Sequence, residues 1–368
     1  MAKILNKEDL DRLPGVLSGY DVYAPVSHDG VLRFCRLEED SDQGMETGFT
    51  NTHKPPKDLF FPQTEVMLEL KREDHKWTGT QETARPTGKA VALGMRPCDA
   101  QSLNILDVLF TWDYVDNYYI NNRNRFTIVG LACTGGDKEP PTASCFCTSV
   151  GGGPGSKEGL DVIMTDIGNH YLFEALTDKG RDLEAATAEL LSQADDGHVQ
   201  QAKEAVEAAE KKISRKMPAE GSVEYLDGIF DHDYWEGFAQ RCLGCGICTL
   251  LCPTCHCFDI NDVVKLGEGR RERTWDSCQF EYYSIHASGH NPRPAKKHRQ
   301  RNRIYHKFHY MVKNLDVLGC VGCGRCIEKC PVNIDIIEVM QGAKEAAKEA
   351  GKEVEKEAGK GEAKEAGK

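Results

Sequence analysis

The feature that most constrains this chain is a pair of cysteine quartets. Cys242, Cys245, Cys248 and Cys252 are followed by Pro253, and Cys320, Cys323, Cys326 and Cys330 by Pro331. Each reads C-x2-C-x2-C-x3-C-P, the spacing by which a loop and a first helical turn present thiolates to the corners of a [4Fe-4S] cube. In two-cluster ferredoxins the fourth cysteine serves the other cluster. The expected ligand sets are therefore Cys242, Cys245, Cys248 and Cys330 for one cluster, and Cys320, Cys323, Cys326 and Cys252 for the second. Gly244, Gly246, Gly322 and Gly324 let the backbone approach sulfur and turn its amides inward. Zinc knuckles pair C-x2-C units across a spacer, and the third cysteine and the proline do not fit them.

Composition narrows the setting. A chain of 368 residues is long enough for two ordinary cores. Its sixteen cysteines cluster at ligand spacings rather than as a disulfide framework. The start, Met1-Ala2-Lys3-Ile4-Leu5-Asn6, has no apolar signal core, and no run has the apolar length of a membrane span. The expectation is a cytoplasmic protein, where thiolates stay available to iron. A net charge of -12 argues against general nucleic-acid binding. The one basic stretch holds Arg293, Lys296, Lys297, Arg299, Arg301, Arg303 and Lys307, with Tyr305, Phe308 and Tyr310 among them. Between two anionic motifs it is expected to offset cluster charge, tie the two halves together or dock an acidic partner, rather than stack single-stranded nucleic acid.

The expected fold class is α+β. Residues 1–180 read as a mixed α/β domain, 181–222 as a helical connector, 223–341 as an all-helical dicluster ferredoxin-like domain and 342–368 as a low-complexity Lys/Glu tail. Strands are predicted at Tyr20 to Val26, Val31 to Leu37, Val66 to Leu70, Lys89 to Met95 and Phe126 to Leu131. Asp99 can cap a helix through Leu109 that presents Leu103, Leu106 and Phe110 on one face. The resulting βαβ unit would carry Cys98 and Cys133 to one end of a parallel sheet, where open α/β sheets place their sites. With Cys145 and Cys147 they make four loop cysteines, enough for a third [4Fe-4S] cluster.

Cys255, Cys257 and Cys278 lie close to the first quartet and read equally as ligands of a further centre or alternates for the fourth position, or as buried packing residues. Cys35 is expected in the core. Gly151 to Gly155 lacks the spacing of a dinucleotide or phosphate loop, so it reads as a mobile connection and neither flavin nor nucleotide is expected on this chain. No nucleophile and base stand together, and no catalytic residue is assigned.

Several runs carry a resemblance. Trp275-Asp276-Ser277-Cys278-Gln279-Phe280, Gly289-His290-Asn291-Pro292-Arg293-Pro294, Lys296-Lys297 and Cys320-Val321-Gly322-Cys323-Gly324-Arg325-Cys326 resemble the beta subunit of cytoplasmic sulfhydrogenase-type hydrogenases. They are equally similar to the A subunit of anaerobic sulfite reductase. Lys54-Pro55-Pro56-Lys57, Arg96-Pro97-Cys98-Asp99 and Cys145-Phe146-Cys147 extend the likeness into the first half. It implies a non-catalytic iron–sulfur electron-transfer subunit of anaerobic metabolism. A companion flavoprotein would take hydride from NAD(P)H, and a terminal hydrogenase, sulfite reductase or heterodisulfide reductase-type subunit would receive electrons. The alternative is a catalytic iron–sulfur subunit that reduces a sulfur compound directly. The Lys/Glu tail departs from the family pattern.

Overall fold

The short apolar runs become two sheets in the computed structural model, which describes residues 2–37, 44–73, 75–80, 86–134 and 141–365. In chain order the strands are β1 (Lys3–Asn6), β2 (Tyr20–His28), β3 (Val31–Arg36), β4 (Thr64–Glu73), β5 (Lys76–Thr80) and β6 (Lys89–Met95). They continue with β7 (Phe126–Leu131), β8 (Val162–Asp166), β9 (His170–Ala175), β10 (Leu191–Gln193), β11 (Phe258–Lys265) and β12 (Glu268–Trp275). The larger sheet runs β10-β1-β9-β8-β7-β6-β2-β3, with β2, β6, β7 and β8 parallel.

The predicted βαβ unit is present. β6 and β7 pair in parallel, joined by helices Pro97–Thr111 and Asn117–Arg125. Alternation along the strands feeds two cores. Val91, Leu93, Val129 and Leu131 face Leu10, Leu13 and Leu183, while Ala90, Ala92 and Ile128 face Leu103, Leu106 and Phe110. Both faces are covered, which is why β6 and β7 read as almost unbroken apolar runs. The connector holds helices Asp178–Ala186 and Asp196–Lys212, but between them β10 pairs with β1. Three residues of strand are too few to leave a periodic signal. Cys35 is half-buried rather than core, because β3 is an edge strand.

The stretch between the quartets corrects the all-helical expectation. β11 and β12 form a hairpin in the sheet β11-β12-β4-β5, so the second half of the chain adds strands to the first. Leu266 and Gly267 turn it at φ 50° and 89°, the left-handed pair a tight hairpin needs. Arg273, 1% exposed, pairs with Glu65 at 2.6 Å and with Asp116, and lies 4.8 Å from the Phe61 ring. Most residues of the hairpin strands are exposed and half are charged, so no apolar alternation betrays them.

A third core joins Leu226, Trp235, Phe238, Phe308, Ile336 and Met340 with Phe146 from the first half. Helix Ile336–Glu365 runs on past residue 342; Ala343 is buried in this core, Ala347 and Ala350 pack against it, and Ala346 is buried as well. The first turns of the expected tail are therefore packed structure; residues 366–368 lie outside the described residues. Among the described residues no helix is long and apolar enough to cross a membrane.

Asp99 does not cap its helix. Pro97, which needs no N–H partner, opens the helix behind Arg96, and Asp99 is instead 2% exposed. Its carboxylate takes both arms of Arg325, at 2.6 and 2.7 Å, and Arg325 Nε donates to the Thr52 carbonyl at 3.0 Å. A charge from the second quartet is thus neutralised in the first half of the chain. Arg325→Met leaves Asp99 buried and unpaired, a loss of about 3–5 kcal/mol, whereas Asp99→Leu combined with Arg325→Met recovers much of it. The thermal midpoints of the two iron-loaded variants measure the difference.

Candidate iron–sulfur site

The two quartets fold as one repeated motif. Gly244 and Gly246 have φ of 71° and 76°, and Gly322 and Gly324 have 65° and 76°. These left-handed glycines swing the chain into the short helices Ile247–Leu250 and Arg325–Glu328. Leu250 N donates to Gly246 O at 3.0 Å as Glu328 N does to Gly324 O at 3.1 Å, and Cys252 N and Cys330 N close each turn at 3.2 and 3.3 Å.

Two adjacent cavities lie between the motifs. The first is lined by Cys242, Cys245, Cys248 and Cys330, together with Gln300 and Arg303. The second is lined by Cys252, Cys320, Cys323 and Cys326, with Arg303 and Lys307. Cys330 thus lines the cavity of the first quartet, and Cys252 that of the second. Cys326 borders both cavities. Cys245 is exposed, whereas Cys242 and Cys323 are buried.

One helical rod serves both cavities. Helix Lys296–Tyr305 passes through a π turn at His306–Tyr310 into helix Met311–Leu315. Its Gln300, Arg303 and Lys307 fall on one face and are 4%, 5% and 3% exposed. Gln300 Nε2 donates to Cys242 Sγ at 2.8 Å, and Arg303 donates to the Cys248 carbonyl at 3.3 Å. Arg303 Nε is buried without a hydrogen-bond partner, an orphan donor beside both cavities. Lys307 Nζ reaches Cys252 Sγ at 3.3 Å, Thr254 Oγ1 at 2.9 Å and the Gly319 carbonyl at 2.8 Å. Backbone amides complete the sulfur contacts: Gly244 N to Cys242 at 3.3 Å and Ile334 N to Cys330 at 3.2 Å. A tetrathiolate cluster is anionic, and this donor set suits it.

Burial pushes the Cys248 and Cys320 thiols up to about 11, and Cys323 is raised as well. Burial lowers a lysine, yet attraction to the negative charge that Cys252, Cys255 and Cys320 carry when ionised outweighs it and raises Lys307. Thiols raised in this way stay protonated until a metal displaces the proton.

The structure also gathers the N-terminal cysteines. Cys98 is the second residue of the helix after β6, and Cys133 lies just beyond β7, its amide held by the Pro154 carbonyl at 2.9 Å. Cys133, Cys145 and Cys147 are close enough to act on one another's charge, and Cys147 is pushed up to about 12 by burial and by these neighbours. Cys98, raised by burial, feels Cys133 on one side and Cys323 on the other. The glycine-rich loop is packed rather than mobile: a Cβ at Gly155 would stand 2.7 Å from Val206, and Pro154 is buried.

The remaining cysteines pair with others. Cys255 shares a proton with Cys252, and Cys257 with Cys278, the hydrogen bonds lowering Cys252 and Cys257. Lys57 lies over the Trp275 ring at 4.1 Å and donates to the Cys255 carbonyl at 2.7 Å. Its burial lowers it to about 8, with the Cys255 and Cys252 thiolates opposing. Neither Gln300 nor the sulfur-facing role of Lys57 was visible in the sequence. The spacing of Gln300, Arg303 and Lys307 on one helical face was the available signal.

Contact between the N-terminal cysteines and the second quartet is close. Phe146 N donates to the Gly322 carbonyl at 2.9 Å, and a Cβ on Gly322 would stand 2.5 Å from the Cys147 backbone. Gly322→Ala therefore forces the loops apart and adds left-handed strain, with a loss of at least about 2 kcal/mol and reduced iron content. Gly289, at φ 81° with nothing near its Cβ, is the control. Gly289→Ala costs only the conformational term, about 1–2 kcal/mol, and keeps the iron. Iron assay and thermal midpoint read both.

Residues 241–334 match the family model of a 4Fe-4S dicluster domain. The chain is also similar to the sulfhydrogenase 2 subunit beta of Pyrococcus furiosus, 30% identical over 325 residues that make up 88% of this chain and 92% of the relative. With likeness spanning both halves and the dicluster motifs seated in paired cavities, the chain belongs to the sulfhydrogenase beta-subunit family of iron–sulfur proteins.

Proposed function

We propose that this chain is an iron–sulfur electron-transfer subunit that relays single electrons between an NAD(P)H-linked flavoprotein and a terminal redox enzyme of hydrogenase, sulfite reductase or heterodisulfide reductase type. The observation that carries it is the exchange of fourth cysteines between adjacent cavities, which Arg303 borders on both sides. When bound, a [4Fe-4S] cluster accepts and releases one electron without a proton-transfer step. Cys242, Cys245, Cys248 and Cys330 would hold one, and Cys252, Cys320, Cys323 and Cys326 the second. Cys98, Cys133, Cys145 and Cys147 would hold a third. The reading takes residues 1–180 as the unit for the third site and 223–341 as the dicluster unit, in a reducing cytoplasmic setting.

The chain's own residues support transfer in series. Cys245 brings the first site to the surface, where a partner can approach. Cys326 and Arg303 join the first site to the second. Cys323 and the Gly322 loop join the second to the N-terminal cysteines. Gln300, Lys307 and the loop amides give fixed donors to sulfur, so a change of charge needs little rearrangement.

Anaerobically purified chain should carry about twelve irons with matching acid-labile sulfide, and Cys133→Ser with Cys147→Ser should lower this to about eight. Iron unchanged in that double variant would make the N-terminal cysteines structural. Zinc without sulfide would sink the relay. Purifying the native complex and identifying its subunits tests the two partners.

A further inference from the structure

The two cavities share Arg303 and Cys326 but differ in the charge that faces them. At the first, the sulfur contacts come from neutral donors: the Gln300 amide and Gly244 N on Cys242, and Ile334 N on Cys330. At the second, Cys252 Sγ meets the Thr254 hydroxyl at 3.1 Å and, in addition, the Lys307 ammonium. Lys307 spends its three N–H groups on a sulfur, the Thr254 hydroxyl and the Gly319 carbonyl, none of them a carboxylate. Arg325, a further cation beside the second quartet, is neutralised by Asp99. Lys57, with its ammonium on the Cys255 carbonyl, stands one residue further out. Beyond the Arg303 charge that both sites share, the second alone has a buried ammonium in contact with a sulfur, and that difference is a directional element.

Reduction adds a negative charge to a cluster, so a fixed positive charge nearby favours the reduced form. Gln300 supplies hydrogen bonding alone, and Arg303 acts on both sites. We infer that Lys307 is a positioning residue which, through Cys252, selectively raises the reduction potential of the second site and so makes it the electron-holding member of the pair. This rests on the relay reading and deepens it. The π turn at His306–Tyr310 belongs to the device, since Lys307 lies within the altered turn that aims its side chain across the helix face toward Cys252.

The test is an EPR-monitored redox titration of full-length, iron-loaded chain, with the first-site signal identified by its perturbation in Cys245→Ser. In Lys307→Met the second site should shift at least tenfold toward the oxidised form, a fall of about 59 mV for a one-electron couple, while the first site holds its midpoint. Lys307→Arg, which keeps the charge, should restore the second midpoint. If Lys307→Met does not load its iron, Lys307→Gln, which keeps an N–H donor without the charge, replaces it in the same comparison. A second-site midpoint unmoved at full iron content, or equal movement of both sites, overturns the inference. Absence of iron and sulfide in the wild type would instead overturn the relay itself, so the two failures are distinct.

Discussion

Crowding thiolates into a protein interior is the constraint on which the rest of this structure depends. Burial raises the cost of ionising each sulfur, and neighbouring sulfurs raise it further, as at Cys147, Cys320 and Cys323. The chain answers with buried cations. Arg303, Lys307, Lys57 and Arg325 are all nearly inaccessible, and each sits beside a cysteine-bearing loop. Arg325 has Asp99 as its counter-charge, but without the thiolates Arg303, Lys307 and Lys57 would be uncompensated, and without the cations the thiolates would stay protonated. Folding and metal loading are therefore coupled here.

The same requirement explains why the two halves of the chain are interlocked. Arg325 from the second quartet finds its carboxylate in Asp99, and Arg273 of the inserted hairpin finds Glu65 and Asp116. Asn51 Nδ2 donates to the Cys323 carbonyl at 2.8 Å. Phe146 joins the C-terminal core although its neighbours Cys145 and Cys147 belong to the N-terminal cysteine group. Contacts this specific hold loops at a fixed separation, which stepwise electron transfer requires. The left-handed glycines make it possible, because at Gly322 and Gly324 backbone meets backbone with no room for a side chain.

The duplicated quartet adds a second layer of economy. Two copies of one loop, built on the same pair of left-handed glycines, exchange their fourth cysteines across neighbouring cavities. Symmetry of the backbone leaves the difference between the sites to side chains. Ser144 meets Gly324 where the Phe280 ring meets Gly246, and Lys307 stands at one site where Gln300 stands at the other.

By itself the sequence determined the chemistry and the local elements. C-x2-C-x2-C-x3-C-P is a short-range pattern, so its geometry survives in the residues alone, and the buried runs of β6 and β7 announce a covered parallel sheet by their unbroken apolar character. The strand, helix, strand unit around Cys98 was legible for the same reason. What only the tertiary structure decided depends on partners distant in sequence. The β11–β12 hairpin takes its place from β4 and from Arg273, not from a pattern of its own. Asp99, locally a helix cap, becomes the counter-charge of Arg325 because Pro97 opens the helix and a guanidinium 226 residues away arrives beside it. The first turns of the Lys/Glu segment are held by a core that composition could not reveal, since the alanines that pack, Ala343, Ala347 and Ala350, are set apart only by the helix face they share.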